Sequence, residues 1–423
     1  MTTSDSTLRP SDSTLRSSDK VLNLGTFFFL YIAQSIPVSF FSTAIQVMMR
    51  QADYSLSSIA LLQLVKLPWI LKFAWSPYVD RHCLTVRDYR RTILVSEVVY
   101  ALLILLVGMF RLESDLYLIA VLVFLSLTAS ATQDIATDAL ATLSFKKQDK
   151  SVVNSMQTMG SFGGTLIGSG VLLVLLHNYG WQTVVPFLSV FVLLALIPLL
   201  LNRRLTITPK APTERARPID FIYFFTRRSI WRQVGFLVLY YAGITGTLSM
   251  LRPWLVDLGY SLKEVGFMSM LGTGAAFAIS FPIGLLVRRI GRYRARLWFA
   301  CFTFCTLVYF LLLSWTHPTT VALCIGYVLL WCSYSMSSVV VYTTAMDCVR
   351  PGREGTDFTV QTVITHGSSM LTVLLCGKVG DLLGFRGLFA FVVLLAGCSV
   401  AYILYFFREQ KAVSQVNKDS INS

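Results

Sequence analysis

The chain has 423 residues, of which 55% are hydrophobic and 14% charged, and it carries a formal net charge of +14. So little charge cannot solvate a soluble protein of this length, so most of the chain must lie in lipid. The positive excess does not indicate nucleic acid, because the basic residues sit in loops between apolar runs and not on a folded soluble face.

Residues 1–20 are polar, contain Pro10 and repeat Ser-Asp-Ser-Thr-Leu-Arg at 4–9 and 11–16, as a disordered tail does. No small-residue cleavage site follows a short apolar core, so the first apolar run reads as a span and not a signal peptide. A bilayer core needs about 20 apolar residues as helix. Six such windows fall at 22–48, 57–75, 93–110, 116–138, 152–176 and 182–202, and six more at 231–251, 263–287, 297–315, 319–343, 357–380 and 387–407. The fold class expected is an all-α membrane protein of twelve transmembrane helices in two six-helix bundles. Its parts are a tail (1–20), an N-terminal bundle (21–202), a linker (203–230) carrying Pro209, Pro212 and Pro218, a C-terminal bundle (231–407) and a second tail (408–423).

The two halves repeat one another. Tyr54-Ser55-Leu56 opens one apolar run and Tyr260-Ser261-Leu262 another, and each run ends in arginines: Arg87, Arg90 and Arg91, then Arg288, Arg289, Arg292, Arg294 and Arg296. Gln157-Thr158 and Gln361-Thr362 fall at matching places. Two parallel copies of a helical unit point to a two-bundle transporter with the solute path between the copies.

Lys and Arg set the orientation. Six of them (Arg50, Arg111, Arg252, Lys263, Lys378 and Arg386) fall on one face and two (Lys66 and Lys72) within span 2, leaving 28 of the 36 on the face that carries the tails and linker. That face is expected to be cytoplasmic. The chain has no Asn-x-Ser/Thr acceptor, in keeping with a bacterial inner membrane.

Intramembrane charge is costly and usually functional. Lys72 in span 2 and Asp134 in span 4 lie at similar depth, which suits a salt bridge; the bland alternative is a snorkelling lysine and a wet carboxylate. Asp134 and Asp138 are spaced i, i+4 on one helix face, an arrangement that suits either a proton-coupling pair or a gate lock with the loop of Arg81 and Arg87. Lys66 lies nearer the bilayer centre beside Pro68 and Trp69. Gln34, before Pro37, suits a solute contact or an interhelical hydrogen bond. His366 is the histidine well inside an apolar run and is a proton carrier or a packing residue. Gly160, Gly163, Gly164, Gly168 and Gly170 make span 5 slim, for close packing or for gating. Phe27, Phe28, Phe29, Tyr31 and Trp69 read as lipid-facing or packing aromatics.

No catalytic pattern emerges. G-x-S-x-G, H-E-x-x-H and a P-loop are missing, which argues against an ATP-driven pump. A membrane acyltransferase would need a His or Asp pair at a membrane face, and His82, His177 and His317 lie in loops without such a partner. The eight cysteines are scattered without ligand spacing, so neither a metal nor a cofactor is expected.

Three segments resemble a known family. Gln34-Ser-Ile-Pro37, Leu67-Pro-Trp-Ile-Leu-Lys-Phe-Ala-Trp-Ser-Pro-Tyr-Val-Asp-Arg81 and Gln133-Asp-Ile-Ala-Thr-Asp138 are similar to the AmpG-like branch of the major facilitator superfamily. That branch includes muropeptide permeases, acetyl-CoA transporters and RhtX/FptX-type siderophore importers. The Gln-Asp-Ile-Ala-Thr-Asp wording is nearest the siderophore group, and the chain departs from the pattern at Ala139 and Lys66. The resemblance implies that Asp80 and Arg81 hold the inward gate shut. It also implies a cavity lined by spans 1, 4, 7 and 10, which here offer Gln34, Gln133, Tyr240, Tyr241 and Tyr334, with Lys66 entering from span 2 and Arg252 at the outer mouth of span 7. The expected activity is proton-driven import of a bulky polar, anionic solute, with an iron-siderophore ahead of muropeptide or acetyl-CoA. The alternative from another class is a transport-dead sensor or scaffold.

Overall fold

The computed structural model describes residues 17–51, 63–207 and 215–408. The first tail up to residue 16, the Tyr54-Ser55-Leu56 phrase and the tail from residue 409 lie outside the described residues. Among the described residues, ten helices are long and apolar enough to cross a membrane. The last of them, Glu354–Phe406, is spans 11 and 12 joined at Gly384. There φ is +65°, a conformation glycine reaches without the Cβ penalty.

Span 2 departs from the single helix expected at 57–75. Its described part is a 3-10 turn (Gln63–Lys66), a short helix (Leu67–Leu71), a second 3-10 turn (Lys72–Ala74) and a further helix (Ser76–His82). Pro68 and Pro77 stand in the first turns of the two helical pieces, where their missing N–H and fixed φ start a helix but cannot continue one.

Most of the other spans run past their apolar windows, and polar side chains cap three of them, spans 3, 8 and 10. Span 1 is Ser17–Gln51, span 3 Val86–Met109 and span 4 Leu112–Ser144. Span 5 is Lys150–Leu166 continued through a π-turn (Ile167–Val171) into Leu172–Tyr179, and span 6 is Trp181–Leu194 with Ile197–Leu201. Spans 7 to 10 are Arg228–Asp257, Leu262–Ile290, Arg292–Leu313 and Thr320–Asp347. Thr85 with Asp88 caps span 3, and Ser261 of the second repeat phrase caps span 8 with Glu264. Each pair satisfies donors at both ends of a capping box.

Within the first half, span 1 packs on span 5, and span 3 on spans 4 and 6; in the second, span 7 packs on spans 11 and 12, and span 8 on span 10. The halves meet where span 5 lies along span 8 and where span 2 touches span 11. Each half has its own apolar core, one around Phe40, Ile104 and Val185, the other around Leu251, Phe310 and Phe389. At the linker end, a cluster around Tyr89 and Leu140 takes in Ala345, Met346 and Phe358 from the second half.

Span 5 approaches span 1 through glycine. A Cβ on Gly160 would stand 2.8 Å from Cβ of Tyr31, and one on Gly164 would collide with Ser35. Small residues let backbones draw together, and the contact sets the distance across which span-1 side chains reach span 4. Gly170 packs against nothing of this kind.

Candidate functional site: a charged cavity above a closed linker face

Between the halves lies a cavity of about 240 Å³ lined by residues of spans 1, 2, 4, 5, 10 and 11. Its floor is the Lys72–Asp134 salt bridge, in which both residues are 2% exposed. Neither partner snorkels to the interface. The Lys72 ammonium also lies 4.9 Å from the centre of the Trp69 ring. Asp134 accepts a second hydrogen bond from Gln34 Nε2 at 3.0 Å, so the amide orients the carboxylate while the ammonium neutralises it. One turn on, Asp138 accepts from the Tyr31 hydroxyl at 2.8 Å and from Gln157 Nε2 at 3.2 Å. The i, i+4 spacing thus gives two carboxylates on one face with different partners: a cation holds one, neutral donors hold the other. His366 lines the same cavity from span 11, and its side chain is exposed to it. Ser35, Ser39, Ser161, Thr165 and Thr362 add hydroxyls to the wall.

Six of the seven residues expected to bind solute lie outside the lining of this cavity, Gln34 being the one that belongs to it. Lys66 borders a separate narrow cleft of about 20 Å³ among Val38, Phe41 and Leu127. Gln133 is fully buried and turned from the cavity, because its neighbour Asp134 occupies the cavity-facing position. Tyr240 donates to the Arg296 carbonyl at 3.0 Å and stacks beside Phe236 inside the second bundle. Tyr241 donates to Ser338 Oγ at 2.9 Å and meets Tyr334 edge-on, and Tyr334 meets Phe162 of span 5 in the same way. These two rings pack the junction of the halves, not the cavity wall. Arg81 is exposed at the linker face. Arg252 is exposed at the opposite end of span 7, as expected.

The sequence reading passed over Tyr31 and Trp69 as packing aromatics and did not assign Gln157, Thr362 or Tyr342 to the site. For Gln157 and Thr362 a signal was available, since both belong to the repeated Gln-Thr pair. Tyr31 lies one turn before Gln34 on span 1, a spacing that puts both on one face.

The linker face is closed by contacts between the halves. Asp80, fully buried at the end of span 2, accepts from the Gly355 N–H at 3.1 Å, the Thr356 N–H at 2.7 Å and the Thr356 hydroxyl at 2.8 Å. It therefore caps the first turn of span 11 from another helix, where the helix dipole also favours negative charge. Lys150 donates to the Met346 carbonyl at 2.7 Å, Ser151 to the Gly284 carbonyl at 2.9 Å, and Arg288 pairs with Asp149 at 3.1 Å. Arg292 holds Asp347 at 3.0 Å and reaches the Lys147 carbonyl. Beside them, in the loop before span 11, burial alone would lower the pKa of the Arg350 guanidinium, but hydrogen bonds and charge from Asp357 outweigh it and hold it above its ordinary value.

A twelve-span, two-bundle helical fold with a charged cavity between its halves and a closable face defines a secondary transporter of the major facilitator type. A model of the Major Facilitator Superfamily matches residues 26–372. The chain belongs to that superfamily, and the curated relatives it resembles are permeases and transporters of AmpG type. It is 27% identical over 273 residues to the anhydromuropeptide permease of Escherichia coli strain K12, an alignment covering 63% of this chain and 56% of that permease. The chain thus matches little more than half the length of that relative. It is 21% identical over 398 residues to "Putative transporter AmpG 4" of Rickettsia felis, covering 89% of this chain and 95% of that one. Among solved structures, a bacterial homologue of the iron transporter ferroportin in an outward-facing state superposes with a TM-score of 0.69 at 15% identity, covering 92% of this chain and 99% of that one. The human organic anion transporter MFSD10 superposes with 0.67 at 14%, covering 91% and 98%. At such identities these two structures speak for the fold alone.

Proposed function

We propose that the protein is a proton-driven importer of a bulky, polar solute of the muropeptide class, an amino sugar bearing a short peptide. The carrying observation is the cavity: an ammonium, two carboxylates, two amides and a row of hydroxyls on one wall suit a ligand with carboxylate, amide and sugar groups. The name of the Escherichia coli relative supports the same class. A cavity closed on the linker side is one end state of alternating access, and solute release then needs the Asp80 and Lys150 contacts to part. Asp134, Asp138 and His366, facing one aqueous space, are the groups that would exchange protons as access alternates.

The linker face is cytoplasmic in this reading, from the Lys and Arg distribution. Reporter fusions at residue 423 and within 203–230 should both read inside; one reading outside overturns the orientation.

Uptake of a labelled anhydromuropeptide into proteoliposomes tests the function. It should be saturable, fall on addition of a protonophore and need no ATP. A siderophore substrate is the second reading, favoured by the wording of Gln133–Asp138. A deletion strain that loses growth on one ferri-siderophore while recycling muropeptides normally would move the assignment there. Absence of uptake of either class by correctly inserted protein would leave the sensor or scaffold alternative.

A further inference from the structure

A second polar cavity, of about 310 Å³, lies at the linker end of the second half, among the starts of spans 7 and 9 and the ends of spans 10 and 12. Three guanidiniums line this one space: Arg227 and Arg232 near the start of span 7, and Arg296 near the start of span 9. One carboxylate lines it too, that of Asp347, whose Oδ2 is held by Arg292 at 3.0 Å. Arg227 also stands 3.7 Å from Asp357, but that carboxylate is already taken by the fork of Arg350. The lining therefore carries more positive charge than its own carboxylate neutralises. Part of that charge, on Arg296, is only 4% exposed, where water screens it least.

The cations are held in place without being cancelled. The Arg296 guanidinium lies 4.9 Å from the centre of the Phe236 ring and 4.2 Å from that of Phe407, and ring faces fix a cation while leaving its charge intact. Ser229 adds the first turn of span 7 to the lining, the end of a helix whose dipole favours an anion. One feature asks for a donor instead: Asp347 Oδ1 is buried without a hydrogen-bond partner. Beside the cavity, Trp231, Tyr405 and Phe406 are exposed, the kind of side chain that sits at the level of lipid headgroups.

We propose that this cavity binds the headgroup of an anionic phospholipid of the phosphatidylglycerol class, with its phosphodiester on Arg227, Arg232 and Arg296 and a headgroup hydroxyl on Asp347. Guanidinium forks match the oxygens of a phosphate, and basic pockets between spans are where anionic headgroups lodge. A bare phosphate would leave the Asp347 oxygen facing a second anion, whereas a glycerol hydroxyl donates to it. A headgroup without net charge would leave the excess of positive charge unbalanced. The site also bears on the gate. Arg227 donates to the Cys348 carbonyl at 3.1 Å, and Asp347 holds Arg292, which reaches the Lys147 carbonyl of the first half. A headgroup on Arg227 and Asp347 thus acts on the loop that closes the linker face, so the lipid composition of that leaflet biases opening.

The test uses the full-length chain purified in detergent, with dioctanoyl phosphatidylglycerol as the probe. Thermal melting is followed as this lipid is titrated, in parallel with dioctanoyl phosphatidylcholine, dioctanoyl phosphatidylethanolamine, inorganic phosphate and glycerol phosphate at equal ionic strength. Phosphatidylglycerol alone should raise the melting temperature by several degrees, saturably, and native mass spectrometry should show one molecule retained per chain. The double variant Arg227→Gln with Arg232→Gln should raise the half-saturating concentration at least tenfold. Arg228→Gln, next to the cavity but outside its lining, should leave it within twofold. Should the double variant fail to fold, Arg232→Gln alone, at an exposed position, should raise it at least threefold. Equal shifts with the choline or ethanolamine lipid, or an equal loss in Arg228→Gln, overturn the site. An equal shift with inorganic phosphate or glycerol phosphate overturns the lipid as its occupant. These readouts require no transport, so they stand or fall separately from the muropeptide reading.

Discussion

The two halves repeat one another in sequence and do different work at matching positions. Gln157 in span 5 donates to the Asp138 carboxylate, while its counterpart Gln361 in span 11 donates to the backbone carbonyls of Ala345 and Asp357. At the depth of the cavity the first half holds buried charge, in Lys72, Asp134 and Asp138, whereas the buried ions of the second half, Arg296, Glu354 and Asp357, lie toward its linker end. At the same depth the second half supplies hydroxyls and rings: Tyr241 on Ser338, Ser280 beside Ser335, and Ser333 on Thr306. One repeat has become the polar machine and the other the wall it moves against. The reason is physical, since a single buried charge network can be neutralised internally, whereas two facing networks would each need desolvation and each demand its own partners.

The sharpest way to break this contrast is at the Lys72–Asp134 pair. Asp134→Asn and Lys72→Met each leave one buried charge uncompensated, which costs about 3–5 kcal/mol. Each should abolish uptake and lower the melting temperature. The double variant Lys72→Met with Asp134→Asn should recover stability but not uptake, as measured by melting of the purified protein. Additive losses in the double variant would show that the residues do not act as a pair.

A smaller effect is expected at the junction of the halves. Asp80→Ala removes the acceptor for three donors on span 11, each worth about 1 kcal/mol net. The linker face should then open more often, read as faster labelling of a cysteine placed at Ser151 from that side. Unchanged labelling would mean that Lys150, Asp149 and Arg288 hold the face by themselves.

Span 5 gives an internal control. Gly164→Leu drives a side chain into Ser35 and should cost about 1–3 kcal/mol, as overpacking does. Gly170→Ala meets no neighbour and should change stability by less than about 0.5 kcal/mol. Equal melting temperatures for the two would mean that spans 1 and 5 are not in close contact.

The smallest change separates the tyrosines of the second half from the cavity. Tyr241→Phe loses a single hydrogen bond to Ser338, about 1 kcal/mol, and should leave the KM for solute unchanged. A raised KM would return Tyr241 to the binding wall.

How much of the site was legible in the chain depended on whether a residue's signal was local. Lys72 and Asp134 were readable because charge inside an apolar run is conspicuous and both spans run the same way through the bilayer, which fixes their relative depth. Asp80 was placed at a gate by its resemblance to a family motif, but its partners, the N–H groups of Gly355 and Thr356, lie some 275 residues away. Tyr240, Tyr241 and Tyr334 were assigned to the cavity by span number alone, and rotation about the helix axis sent them into packing.

What the sequence determined by itself is the solvent, the number of spans, their alternation through the bilayer and the two-fold repeat. Each of these follows from hydropathy and periodicity along the chain, which the backbone must obey wherever its neighbours lie. The break of span 2 at Pro68 and Pro77, the reach of Tyr31 to Asp138 and of Gln34 to Asp134, and the turning of Lys66 and Gln133 away from the cavity were decided by tertiary structure. A rotation of about 100° per residue separates a cavity wall from a helix interface. That rotation is set by which glycines and side chains of other spans fit alongside, information spread over partners a hundred or more residues distant.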